Sequence, residues 1–165
     1  MKSTVLLLLG LAALPAGSPE TWDRTRLAVL ESGTGFLTFR EERIPGGLGP
    51  QARARALVEA LLRTPPERGG PFPAGTRVLH LFLAGDGALV LDLSAEALKV
   101  PPGASSESLA AQSLVLTLCS NLPGMNKVLI MVDGKKRETL SGHLGLLDPL
   151  EPLEALIMKK PEIQP

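Results

Sequence analysis

The chain has 165 residues, 44% of them apolar, which is enough for one core and favours a single domain. Its 17 basic residues are balanced by 17 acidic ones, so the clustered basic excess of a nucleic-acid binder is missing. Aromatic residues at 3%, with no Tyr, also exclude a base-stacking platform.

The first predicted element is a leader. Lys2 supplies a positive start, Val5 to Leu14 is an unbroken run of apolar residues and glycine, and Pro15-Ala16-Gly17-Ser18 ends it. That order is the grammar of a secretory signal peptide, assigned to residues 1–17. The run is about half of the roughly 20 residues needed to cross a bilayer. The chain is therefore expected to be exported (secreted, periplasmic or cell-surface), with no membrane span in its mature form. No Cys follows the apolar run, so a bacterial lipid anchor has no acceptor there. The lone Cys119 cannot form an internal disulfide. It lies in an apolar helical pattern and reads as a small hydrophobe.

A single domain is expected over residues 18–152, followed by a C-terminal tail at 153–165. Residues 26–44 give two strand-like runs around Ser32-Gly33-Thr34-Gly35, a hairpin pattern. Pro50 opens a helix with Ala54, Leu57, Val58, Leu61 and Leu62 on one stripe, and Pro65-Pro66 stops it. Gln51, Arg53, Arg55, Glu59 and Arg63 take the other side, read as a solvated face.

Val78–Leu83 and Ala88–Leu93 form a second hairpin around Asp86-Gly87. Alternation places Leu79, Leu81 and Leu83 with Leu89, Leu91 and Leu93 on one face. The other face carries Val78, His80, Phe82, Ala88, Val90 and Asp92. It is not purely polar, which leaves room for a covering element. Ser94 is expected to cap a short segment, and Ser105 or Ser106 a helix running to Asn121 or Leu122. Glu107 suits the dipole of that helix. Ala111, Leu114, Val115, Leu118 and Leu122 form its core stripe, with Leu109 and Leu116 on the polar side. Residues 127–142 read as a strand, an Asp133-Gly134 turn and a charged edge strand from Lys136 to Leu140.

The stretches "PAGTRVLHLFLAGDGALVLDLSAEAL", "AAQSLVLTLCSNLPGMNKVLIMVDGK" and "SGHLGLLDPL" together resemble the GerMN domain, also called the sporulation and spore germination domain. The matching positions are Pro73, Gly75, Thr76, Asp92, Leu93, Ser94, Thr117, Leu118, Pro123, Gly124, Lys127, Val128, Asp133, Gly134, Gly142, His143, Pro149 and Leu150. The upstream hairpin and helix fit the family's usual start. The resemblance implies an extracytoplasmic domain similar to the ring-building modules of envelope assemblies, sometimes found beside peptidoglycan-acting domains. This chain departs from the family in lacking both a lipobox Cys and an enzymatic companion.

Chemistry is hard to place. There is no G-x-S-x-G elbow, and Ser141 and His143, two apart, specify no triad. A zinc site wants clustered ligands, yet His80 and His143 fall in separate elements. "GTG" and "GDG" are too short for a phosphate cradle. Asp92, inside a strand, is expected to bond the turn that follows.

These readings predict an α+β fold: two layers, with two main helices on one face of an antiparallel-rich sheet of five or six strands. The expected function is a non-catalytic interaction or assembly module of the bacterial cell envelope. The alternatives are a binding module for a peptidoglycan or glycan ligand, and a small envelope enzyme. No cofactor, metal or catalytic residue is assigned, and no nucleic-acid partner is expected. The partner is an envelope protein or a second copy, through a surface holding Leu109, Leu116, His80 and Asp92.

Overall fold

The structure is a computed structural model that describes residues 21–158; the expected leader and the end of the tail lie outside them. β1 (Trp22–Glu31) and β2 (Phe36–Pro45) pair antiparallel along their whole length, as the glycine-rich turn predicts. α1 (Pro50–Leu62) follows, started by its proline. β3 (Val78–Leu83) and β4 (Ala88–Leu93) form the second hairpin. α2 (Ala104–Asn121) then crosses over, so that β5 (Lys127–Val132) lies parallel to β4. β6 (Lys135–Lys136) closes the order β3-β4-β5-β6.

The class is α+β, with two main helices. The six strands, however, fall into a two-stranded and a four-stranded sheet rather than one. One apolar cluster joins Leu27, Val29 and Ile44 of the first hairpin to Leu57 and Leu61 of α1. It continues through Leu114 and Leu118 of α2 to Leu89, Leu91 and Ile130 of the larger sheet.

The hairpin stands apart because α2 occupies the free edge of β1. Ser113, Thr117 and Asn121 recur every four residues, one helical turn apart, and so share a face. The Ala28 N–H donates to Thr117 Oγ1 at 2.9 Å, and the Ser113 hydroxyl donates to the Ala28 carbonyl. Asn121 accepts from the Arg26 N–H at 3.1 Å and donates to its carbonyl at 2.7 Å, as a neighbouring strand would. The Leu30 N–H donates to the Gly69 carbonyl at 2.9 Å. The edge that could have joined the larger sheet is thus satisfied by side chains and a loop.

α1 uses the same device on β3. Gln51 Nε2 donates to the Leu81 carbonyl at 3.0 Å, and Arg55 donates to the carbonyls of Val78 and Leu79, each at 3.4 Å. Arg53 pairs with Asp23 of β1. The helix side expected to be solvated therefore carries strand-edge contacts.

Other local expectations change for similar reasons. The β3–β4 register shifts between Val78 and His80, which makes Leu79 the extra residue of a bulge. Val78, not Leu79, then opposes Leu93 and packs against the core. Ser94 makes no side-chain cap; its hydroxyl accepts the Arg77 N–H at 3.0 Å. α2 starts after Gly103, ahead of either expected serine cap. The charged edge strand is only two residues long, because the chain turns inward and buries Leu140. The segment after Pro149 is held on the body. Leu150 exchanges two bonds of 2.8 Å with Val128, the Leu153 N–H donates to Gln112 Oε1 at 2.8 Å, and Ile157 bridges Leu37.

The tight approach of the β3–β4 turn to the α2–β5 connection gives a test of this packing. Gly87 has φ 77°, and a Cβ there would lie 2.7 Å from the Gly124 carbonyl oxygen. Gly33 has φ 73° but open space around it. Gly33→Ala should cost about 1 kcal/mol for the backbone alone. Gly87→Ala should cost about 2–3 kcal/mol, because the clash adds to it. Urea unfolding of the two variants measures the difference.

Candidate interaction surface

Period-two alternation gives the four-stranded sheet two unlike faces. The inner face (Leu81, Leu89, Leu91, Leu93, Val128, Ile130, Val132) is buried under the helices. The outer face carries His80 and Phe82 from β3, Val90 and Asp92 from β4, and Leu129 and Met131 from β5. Among the described residues no element covers it, and Phe82 is 56% exposed. Val90, Leu129 and Met131 are half-buried. The rings of His80 and Phe82 stand parallel, 7° apart in plane and 6.3 Å between centres.

Two of the expected surface residues belong to this face and are in contact. Asp92 is buried; its Oδ2 lies 3.0 Å from His80 Nδ1, and its Oδ1 accepts the Gly134 N–H at 3.0 Å. The carboxylate thus ties β4 to the β5–β6 turn, and it fixes the His80 ring while leaving most of that ring in solvent. At the other end of the face Lys127 pairs with Asp86 at 2.8 Å.

The other two do not lie on any surface. Leu109 is 9% and Leu116 2% exposed, and they pack with Ala28 and Leu37 of the first hairpin in a second apolar cluster. Their helix side looked polar because Gln112, Ser113 and Ser120 flank them, but the hairpin and the segment at Leu156 and Ile157 cover it. Both leucines are therefore interior contacts between α2 and the first hairpin rather than exposed side chains.

Glu107 is a further residue whose role the sequence hid. Its side chain is inaccessible to solvent, yet it is charged and fully bonded. It accepts the backbone N–H groups of Ser141, His143 and Leu144 at 2.9–3.0 Å, and the His143 ring Nδ1 lies 2.9 Å away. Burial pushes its carboxyl up, but the Leu144, Ser141 and His143 donors outweigh that and hold it down at about 2. His143 is bound through its ring to this carboxylate. Ser141 contributes its N–H to the same knot. Cys119 is partly buried, and burial pushes its thiol up, away from the reactive thiolate. Among the described residues no three His, Cys, Asp or Glu converge as a metal site, and no helix is long and apolar enough to cross a membrane.

Several of the motif residues make tertiary ties, and Thr76 a local one. Thr76 donates to the Pro73 carbonyl at 2.7 Å, Ser94 receives Arg77, Thr117 receives Ala28, Asp92 receives Gly134, and Leu150 pairs with Val128. The family model described as Germane, sporulation and spore germination, matches residues 32–138. The chain belongs to the Germane family. Solved Germane-type folds agree with this one. The first GerMN domain of the sporulation protein GerM from Bacillus subtilis superposes with a TM-score of 0.60 at 19% identity, covering 78% of this chain and 97% of that one. The tandem GerMN domains of the same protein give a TM-score of 0.61 at 20% identity, covering 79% of this chain but 46% of theirs. A protein described as a lipoprotein from Clostridium perfringens gives 0.56 at 18% identity, covering 81% and 88%. At these identities the likeness is one of fold. Comparison with curated proteins gives no match.

Proposed function

We propose that this Germane domain is an exported, non-catalytic assembly module of the cell envelope, and that it joins a second copy of itself through the outer face of its four-stranded sheet. The observation that carries the reading is the apolar character of that face, with Phe82 on its edge strand as the most exposed large apolar side chain. Buried aromatic anchors supply much of the energy of protein interfaces. Within the face Lys127 pairs with Asp86, and the His80 ring bonds the Asp92 carboxylate. Two copies related by a two-fold axis would therefore meet with little like-charge repulsion. The tandem arrangement in GerM supports a domain of the same kind as the occupant. The apolar run at Val5–Leu14 supports export.

Each histidine has its Nδ1 set against a carboxylate, which holds its ring in place.

Light-scattering mass across a concentration series tests the proposal. The wild-type mass should rise toward that of a dimer or larger assembly. Phe82→Asp, at an exposed position, should keep the chain folded and monomeric over the same range. A wild-type mass that stays monomeric, or a Phe82→Asp variant that assembles as well as wild type, would refute it.

A further inference from the structure

We infer that the hollow between β2 and the C-terminal end of α1 is a binding site for a phosphate-bearing anion. Four arginines border it: Arg40 and Arg43 from β2, Arg63 just past α1, and Arg68 from the short 3-10 turn Pro66–Arg68. Glu42 is the one carboxylate in its lining. The whole chain is balanced at 17 basic and 17 acidic residues, so this excess is a local concentration of charge.

Neutralisation by neighbours is scant. Among the described residues Arg40, Arg43 and Arg68 form no ion pair with a carboxylate, and Arg63 reaches Glu59 only at 3.9 Å, a carboxylate it shares with Arg55. Arg40 is the fixed element of the site. Its Nη1 donates to the Arg68 carbonyl at 2.7 Å and its Nη2 to Thr64 Oγ1 at 3.1 Å. Its Nε is shielded from solvent with no acceptor among the described residues. Arg63 and Arg68 are exposed beside it, whereas Arg43, three residues further along β2, projects from the opposite strand face.

The chemistry of the ligand follows from the donors and the space. Guanidinium forks bind phosphate oxygens in pairs, with charge-assisted bonds. The hollow measures about 200 Å³. That is below the roughly 300–1,000 Å³ of pockets that enclose whole small molecules, so it suits a single anionic group at the end of something larger. A phosphate ester offers that group, either on a soluble molecule or on a lipid headgroup. The site lies away from the outer sheet face, so its test is independent of self-assembly.

The experiment is calorimetric titration of inorganic phosphate and of glycerol 3-phosphate at low ionic strength, beside co-sedimentation with phosphatidylglycerol and phosphatidylcholine vesicles. The probe variant is Arg63→Glu/Arg68→Glu, with Arg63→Gln as a milder companion; both residues are exposed. Saturable phosphate binding that weakens with added salt, and falls roughly tenfold or more in the double variant at unchanged melting temperature, supports the site. Phosphate binding without vesicle binding assigns a soluble ester. Co-sedimentation with phosphatidylglycerol alone, lost in the double variant, assigns the headgroup. No saturable binding of any probe, or equal binding by wild type and both variants, overturns the inference.

Discussion

Glu107→Ala is expected to lower the stability of the domain by about 3–5 kcal/mol, the usual cost of removing one partner from a buried charged network. The three N–H groups of Ser141, His143 and Leu144 would lose their acceptor at once, and unsatisfied buried donors are costly. Small domains are stable by only about 5–15 kcal/mol, so the variant should sit near its unfolding threshold at ordinary temperature. Urea unfolding at neutral pH measures the loss. Glu107→Gln should be damaging as well, since it brings an amide donor toward a cluster of donors. The same carboxylate predicts an acid transition. Its folded value is about 2, against an ordinary 4.5. A carboxylate held low contributes its full stability above the unfolded value and loses it as pH falls toward the folded one. Wild-type stability should therefore drop between pH 4.5 and about 2 by more than that of Glu107→Gln. Parallel pH curves for the two proteins would mean that the knot is not ionic.

Leu116→Asp is expected to unfold the chain rather than merely alter its assembly. The residue is 2% exposed and packs with Leu109, Ala28 and Leu37 where the first hairpin meets α2. A carboxylate there would be taken out of water inside an apolar cluster, and losses above about 4 kcal/mol are typical of such burial. Leu116→Ala should remain folded at a cost of about 2–4 kcal/mol, as a cavity-forming change. Circular dichroism and thermal melting separate the two outcomes. If Leu116→Asp melted like wild type, the hairpin could not be seated on α2 as described.

The elements that carried their own periodicity were readable from the sequence. The hairpin over 26–44, the helix opened by Pro50 and the turn at Asp86-Gly87 each combine an apolar period with turn chemistry, and all three are present. What escaped was the use of polar side chains inside the fold. Ser113, Thr117 and Asn121 look like the wet side of an amphipathic helix, and only the tertiary arrangement shows that they bond β1. That misreading put Leu109 and Leu116 in water. Glu107 fitted a helix dipole and gave no sign that three N–H groups some 35 residues later would converge on it. The bulge at Leu79 was invisible because "VLHLFL" alternates equally well with or without it. Alternation placed His80 and Asp92 on one strand face, but not that His80 is exposed while Asp92 is buried beneath it. Leu129 and Met131 joined that face only once β5 was seen to run parallel to β4.

The seal that α2 places over β1 also orders events in time. The bonds that close it join residues 85 to 95 positions apart in the chain. Closing so long a loop is slow compared with making a local hairpin. A chain growing from its N-terminus therefore completes β1 and β2 well before Asn121 is made. Through that interval the Arg26 and Ala28 backbone groups present an open template to any passing strand. In the native fold α2 and the Gly69 loop occupy the Arg26, Ala28 and Leu30 positions of this edge, so the aggregation risk of that stretch belongs to synthesis and folding rather than to the finished state.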